Sequence, residues 1–264
     1  LYFETHGGGT PLVLVPGFAS GAWSWNWQAD ELSSDFQVIT FDPRGVSRST
    51  LHGGKAVSIQ SIADDAAELM DWLEIDAAHV LGISFGGFVA QEFALKYPMR
   101  LKKLVLASTS FGGPNHVAPS MEVLAAFAST EGLNTSERIR QYLTMAFSSG
   151  FLESDRDTVD QFCTLREDNP VPRDVYMQQL QSAMMFNAED RIAAIAAETL
   201  VITGDNDTVV PVQNSSNLAA KIPNARLAII ENSGHMAFVE RAAEFNRMVR
   251  DFLKGSMSGI VDSE

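Results

Sequence analysis

A serine, a histidine and an aspartate can perform acyl transfer together, and this chain offers all three at telling places. A serine hydroxyl is a poor nucleophile at neutral pH. It needs an adjacent base, and that base needs an orienting carboxylate. Ser84 stands in Gly82-Ile83-Ser84-Phe85-Gly86. The stretch begins as a short apolar run from His79 and passes at once into a helical pattern, Phe88, Val89, Gln91, Phe93 and Ala94, closed by Tyr97-Pro98. A G-x-S-x-G turn between strand and helix holds the serine hydroxyl clear of the backbone. Gly82 and Gly86 bring no side chain to the point where strand and helix nearly touch. The first N–H groups of the helix favour negative charge at the reaction centre. The bland alternative is a glycine-rich turn of any doubly wound sheet, but a chance match rarely falls between a strand and a helix.

His235 is the best base among five histidines. It follows a strand, is preceded by Gly234 and is succeeded by an apolar helical pattern. His6 and His52 lie in turns, His79 starts a strand and His116 lies near Pro114, and each of these reads as solvated or structural. Asp205 and Asp207 share the loop Gly204-Asp205-Asn206-Asp207. Asp207 is preferred by its spacing from Gly204 and Pro211, which leaves Asp205 to cap backbone N–H groups. The order serine, acid, histidine, each in a loop after a strand, suits an open α/β sheet. Two backbone donors complete the set. They are the N–H of Phe85, next to the nucleophile, and that of Phe18 in Pro16-Gly17-Phe18. A core aromatic at a turn is the plainer reading of Phe18, and the two roles are compatible.

The elements that must position these residues follow in order. Strands are expected at Leu1 to Thr5, Leu12 to Val15, Gln37 to Phe41, His79 to Ile83 and Leu104 to Ala107. The continuous apolar runs among them suit strands buried on both faces. Ser58 or Ser61 caps a helix carried by Ile62, Ala66, Leu69, Met70 and Leu73. His6-Gly7-Gly8-Gly9 is a turn and not a phosphate loop, since no helix or Lys-Ser/Thr pair follows. This alternation predicts a mostly parallel, doubly covered sheet. It breaks between Gly112 and Ala197, where helical patterns run over Met121 to Ala128, Ser136 to Phe147, Asp155 to Leu165 and Val175 to Phe186. It resumes with strands at Thr199 to Thr203 and Arg226 to Ile230 and helices at Val212 to Lys221 and Glu240 to Leu253. The tail from Gly255 is expected to fray. The expected division is 1–111 and 198–264 as core, with 112–197 as a helical cap insertion.

Bulk properties narrow the function classes. The 264 residues include 33 acidic and 19 basic side chains, a formal charge of −14. Such a surface repels phosphate backbones and anionic lipid, so no nucleic-acid partner and no membrane partner is expected. The single Cys163 allows no internal disulfide, and no signal-like segment opens the chain. A cytoplasmic location is the expectation, although the chain starts without Met and inside a strand, which leaves an upstream segment open.

With these residues in hand, the chain resembles the α/β-hydrolase superfamily, in the branch with a helical cap. The resemblance rests on Val15-Pro16-Gly17-Phe18, Phe41-Asp42-Pro43-Arg44-Gly45, Gly82-Ile83-Ser84-Phe85-Gly86-Gly87, Gly204-Asp205-Asn206-Asp207 and Gly234-His235. It implies an eight-stranded sheet whose first strand this chain starts too late to include. Among branches it looks most like 3-oxoadipate enol-lactonases, neighbouring esterases and cofactor-free peroxidases, on Asp42 to Gly45, Tyr176-Met177-Gln178-Gln179-Leu180 and Asp190-Arg191-Ile192. Pro16 stands where the first loop usually has His, and Ser47 where glycine is usual. Relatives with an aspartate nucleophile are set aside by Ser84. The resemblance implies a serine hydrolase acting on a small carboxylic ester or lactone, without cofactor or metal. C–C bond hydrolysis or perhydrolysis by the same triad is the alternative, and a receptor that only binds ligand is the rival of another class. A dicarboxylate lactone would need a cationic pocket. Arg138, Arg140, Arg166 and Arg173 are candidates for it, each read more simply as a solvated surface arginine.

Overall fold

The apolar runs become the strands of one sheet. A computed structural model describes residues 1–51, 56–128 and 134–256. The turn containing His52, and the tail beyond residue 256, lie outside the described residues. In chain order the core elements are β1 (Phe3–His6), β2 (Thr10–Val15), α1 (Ala29–Leu32), β3 (Phe36–Phe41), α2 (Ile59–Trp72), β4 (Ala78–Ile83), α3 (Phe85–Lys96) and β5 (Leu101–Ala107). Among the described residues five α-helices follow: α4 (Met121–Ala128), α5 (Thr135–Ala146), α6 (Ser149–Ser154), α7 (Arg156–Asp168) and α8 (Arg173–Met185). The chain then returns to the sheet with β6 (Thr199–Gly204), α9 (Val212–Lys221), β7 (Ala225–Ile230), α10 (Ala237–Glu240) and α11 (Ala242–Lys254).

The described sheet has seven strands in the order β1-β3-β2-β4-β5-β6-β7. β1 pairs antiparallel with β3, and every other pairing is parallel. Strand order reverses at β2 and β4, and at such a switch point the loops that follow the strands part and leave room for a ligand. The loops after β2, β4, β6 and β7 therefore share one edge. Both faces are covered. Val13 and Val15 of β2 join a cluster with α2, α3 and α9, while Leu12 and Leu14 join a second cluster with α1 and α11. The alternation follows from the period of two along a strand.

Several local expectations are refined. Ser58 and Ser61 act together at the start of α2, each side chain bonded to the other's backbone N–H at 3.1 and 2.9 Å. The pattern expected as one helix from Glu240 to Leu253 is two, broken at Arg241 (φ −126°, ψ 43°). α6 went unexpected, since six residues carry little periodic signal. Among the described residues no helix is long and apolar enough to cross a membrane.

His79 is structural, as its place in a strand suggests: it is buried and its ring meets Phe36 edge-on. Burial, with Lys102 and Lys103 nearby, pushes its pKa down to about 4. The unfolded chain binds this proton from about pH 6.5 downward and the folded chain only near pH 4. The stability that His79 contributes is therefore full above pH 6.5 and falls as the pH drops toward 4. His79 accounts for about 2–3 kcal/mol of that loss. Denaturant melts at a series of pH values should show this slope in the wild type and a flatter one in His79→Leu.

Candidate active site

Ser84 occupies the tip of the turn between β4 and α3 with φ 53° and ψ −118°. That left-handed region is strained for a non-glycine residue, at about 1–3 kcal/mol, and persists only where the surroundings over-determine it. They do so here. The Ser84 N–H donates to Ala107 O at 2.9 Å, and its carbonyl accepts from Thr109 Oγ1 at 2.8 Å and Gly87 N at 2.9 Å. A Cβ on Gly82 would collide with the Gly86 carbonyl, and one on Gly86 with the Val15 carbonyl. Only glycine at both positions lets β2, β4 and α3 approach this closely. The Ser84 side of the turn remains partly exposed.

The loop after β2 lies against this turn. A Cβ built on Gly17 would sit 3.8 Å from that of Ser84. The Phe18 ring packs edge-on against Phe85 at 6.1 Å and against Tyr176 at 4.7 Å. The neighbouring Ala19 N–H donates to Gln179 Oε1 at 2.8 Å, so α8 holds the Phe18 loop in place. Gln178 and Ser182 of α8 likewise accept from Val57 N and Ile59 N, at 2.9 and 3.0 Å.

The loops after β6 and β7 meet. His235 Nδ1 lies 2.9 Å from Asp207 Oδ2, with both residues buried. The other carboxylate oxygen, Asp207 Oδ1, accepts from Val209 N at 3.0 Å and Val210 N at 2.7 Å. Three bonds thus fix the carboxylate's orientation. Asp205 points elsewhere, accepting from Asn206 Nδ2 at 2.7 Å and Ser233 N at 3.2 Å. It ties one loop to the other without reaching the imidazole.

Sequence reasoning missed Glu240. Its buried carboxylate accepts from Gly234 N at 2.9 Å, from Ser148 N at 3.2 Å and from Ser148 Oγ at 2.5 Å. Burial pushes its pKa up, and the bonds from Ser148 and Gly234 oppose the rise. Glu240 thus links the His235 loop to the start of α6. The end of α5 braces the same region, because Met236 N donates to Ala146 O at 3.1 Å and Thr208 Oγ1 to Met145 O at 3.0 Å. Glu240→Ala leaves the buried Gly234 N–H and the part-buried Ser148 N–H without an acceptor, a loss of about 2–4 kcal/mol. For a chain of this size that is a fall in Tm of about 5–15 °C, readable by calorimetry.

The motif around Asp42 is architectural. Asp42 is buried and accepts from Ala22 N at 2.8 Å and Arg48 Nε at 2.8 Å, and Arg44 grips Asp65 with two bonds of 2.6 Å. Ser47 takes φ 47°, which explains why glycine suits the position, and its hydroxyl donates to Asn169 Oδ1 at 2.6 Å. Arg138, Arg140 and Arg173 are exposed as expected, but Arg166 is not a solvated surface arginine. It is set deep beside Tyr142 and Tyr176, and its Nη1 is buried. The signal was present: Arg166 lies three residues after Cys163 and four after Phe162, the two buried residues of α7.

The family model for the alpha/beta hydrolase fold matches residues 10–242. The chain belongs to the alpha/beta hydrolase family. Its relatives include a 2-hydroxy-6-oxononadienedioate/2-hydroxy-6-oxononatrienedioate hydrolase of Pseudomonas putida, 32% identical over 96% of this chain and 90% of that protein. Similar solved structures include a thermophilic esterase from Thermogutta terrifontis, with TM-score 0.83 and 26% identity over 97% of this chain and 94% of that one. The enol-lactonase from Burkholderia xenovorans LB400 superposes with TM-score 0.82 and 25% identity over 96% of each chain. The resemblance stated from the motifs therefore holds. This alpha/beta hydrolase is an enzyme of the hydrolase class with ester- and lactone-cleaving neighbours.

Proposed function

We propose that this hydrolase cleaves a small carboxylic ester or lactone through an acyl-enzyme on Ser84. The single observation that carries the reading is the buried 2.9 Å pairing of Asp207 with His235, at the sheet edge that also presents Ser84. Ser84 Oγ attacks the carbonyl carbon while His235 Nε2 accepts its proton. Asp207 holds the Nδ1–H and balances the imidazolium that forms. The N–H groups of Phe18 and Phe85 receive the oxyanion, each worth about a hundredfold or more in rate. His235 then protonates the departing alkoxide. Water, deprotonated by His235, hydrolyses the acyl-enzyme and returns Ser84 to its starting state. Each step uses the chain's own groups and water.

Residues 112–197 act as the cap in this reading. Gln179 holds the Phe18 loop, and Ser148, Met145 and Ala146 touch the loops of Asp207 and His235. A fluorophosphonate should label the protein once, on Ser84, and abolish turnover of p-nitrophenyl acetate. Turnover that survives full labelling would overturn the proposal.

A further inference from the structure

Arg166 Nη1 is buried and has no hydrogen-bond partner among the described residues. A buried guanidinium N–H without an acceptor is costly, so the Nη1 end asks for an acceptor, best an anionic one. None is supplied from its own helix. Asp160 pairs with Arg140 at 2.7 Å, and Glu167 accepts from Ser136 at 2.5 Å. The groups that feel the Arg166 charge are Tyr142 and Tyr176. Both tyrosines, and Arg166 itself, keep some accessible surface although protein surrounds them deeply.

Two routes lead from these side chains toward the groups proposed to react. Tyr176 packs on Phe18, which packs on Phe85 beside Ser84. Tyr142 feels the charge of Asp207, the partner of His235. Burial lowers the Arg166 pKa and raises that of Tyr142 to about 12, so the cation faces neutral phenols. Arg138, exposed on α5, is the second cation felt by Tyr176.

We infer that Arg166 is the carboxylate-binding end of the substrate pocket, and that the natural substrate is an ester or lactone whose acyl part ends in a carboxylate. A guanidinium fork matches a carboxylate with two parallel bonds. It offsets locally the repulsion that a chain of charge −14 exerts on anions. The inference rests on the serine-hydrolase reading of the same site.

The test compares p-nitrophenyl hemiglutarate with p-nitrophenyl valerate, which match in acyl length and differ in charge. The ratio of kcat/KM values, anionic to neutral, is measured within each protein, so that changes in folded fraction cancel. Wild type should favour the hemiglutarate by at least about tenfold, and Arg166→Met should lower the ratio about a hundredfold. Arg166→Lys should keep part of the preference. Glutarate binding to the wild type, followed by calorimetry, gives a readout that needs no turnover, and Arg166→Met should abolish it. Ser84-dependent turnover with equal ratios in wild type and Arg166→Met would overturn the inference and leave the hydrolase reading standing. Glutarate binding that is absent, or indifferent to Arg166, would overturn it too. Ester turnover that is independent of Ser84 would instead defeat the reading beneath it.

Discussion

Ser84→Ala should turn over p-nitrophenyl acetate about a million-fold more slowly than wild type. The circular dichroism spectrum should be unchanged. Alanine keeps the Cβ, and the bonds that pin the turn run through the backbone of residue 84, to Ala107, Gly87 and Thr109. The variant removes the oxygen that the proposed mechanism acylates. It leaves the buried His235–Asp207 pair, which has no nucleophile of its own to activate. Residual rate should come only from binding and from the N–H groups of Phe18 and Phe85, and that residue of catalysis is worth about a thousandfold or more over water. A loss of less than about tenfold would mean that the ester is cleaved elsewhere.

Asp207→Asn should lower kcat by about 10,000-fold with little change in fold. The amide oxygen of asparagine can still accept from Val209 N and Val210 N, so the loop keeps its anchor. That choice turns the amide NH2 toward His235 Nδ1, where the carboxylate oxygen now sits at 2.9 Å. A donor there selects the imidazole tautomer with its proton on Nε2, and this form cannot accept the proton of Ser84. Asp205→Asn is the internal control. Its carboxylate binds Asn206 and Ser233 and not the imidazole, so kcat should change by less than about threefold. If Asp205→Asn were the more damaging substitution, the roles given to the two carboxylates would be exchanged.

The contrast between these aspartates shows what the sequence could and could not carry. Strands buried on both faces are written as continuous apolar runs, so the frame around Ser84 was legible from Leu12 to Val15, from His79 to Ile83 and from Leu104 to Ala107. The turn at Ser84 was legible because sterics leave glycine no substitute at positions 82 and 86. Choosing between Asp205 and Asp207 depends on which carboxylate the chain turns inward. Backbone bonds to Val209 and Val210 decide that, and any sequence offers such N–H groups. Glu240 was unreadable for a related reason, since its partners Gly234 and Ser148 belong to segments far apart in the chain. Arg166 was misread because its residue type outweighed its position on the buried face of α7. The helices between β5 and β6, α6 apart, were visible as helices, yet nothing in their periodicity told which ends would touch the loops of Asp207 and His235.

The proposed reaction passes through an ester bond between substrate and Ser84. Rapid mixing with p-nitrophenyl acetate, an acid quench within the first turnover, and peptide mass mapping test it most directly. One acetyl group per chain should be found on the peptide containing Ser84, and it should vanish on longer incubation as water releases it. Turnover at the normal rate with no adduct, or with the acetyl group on another residue, would contradict the account.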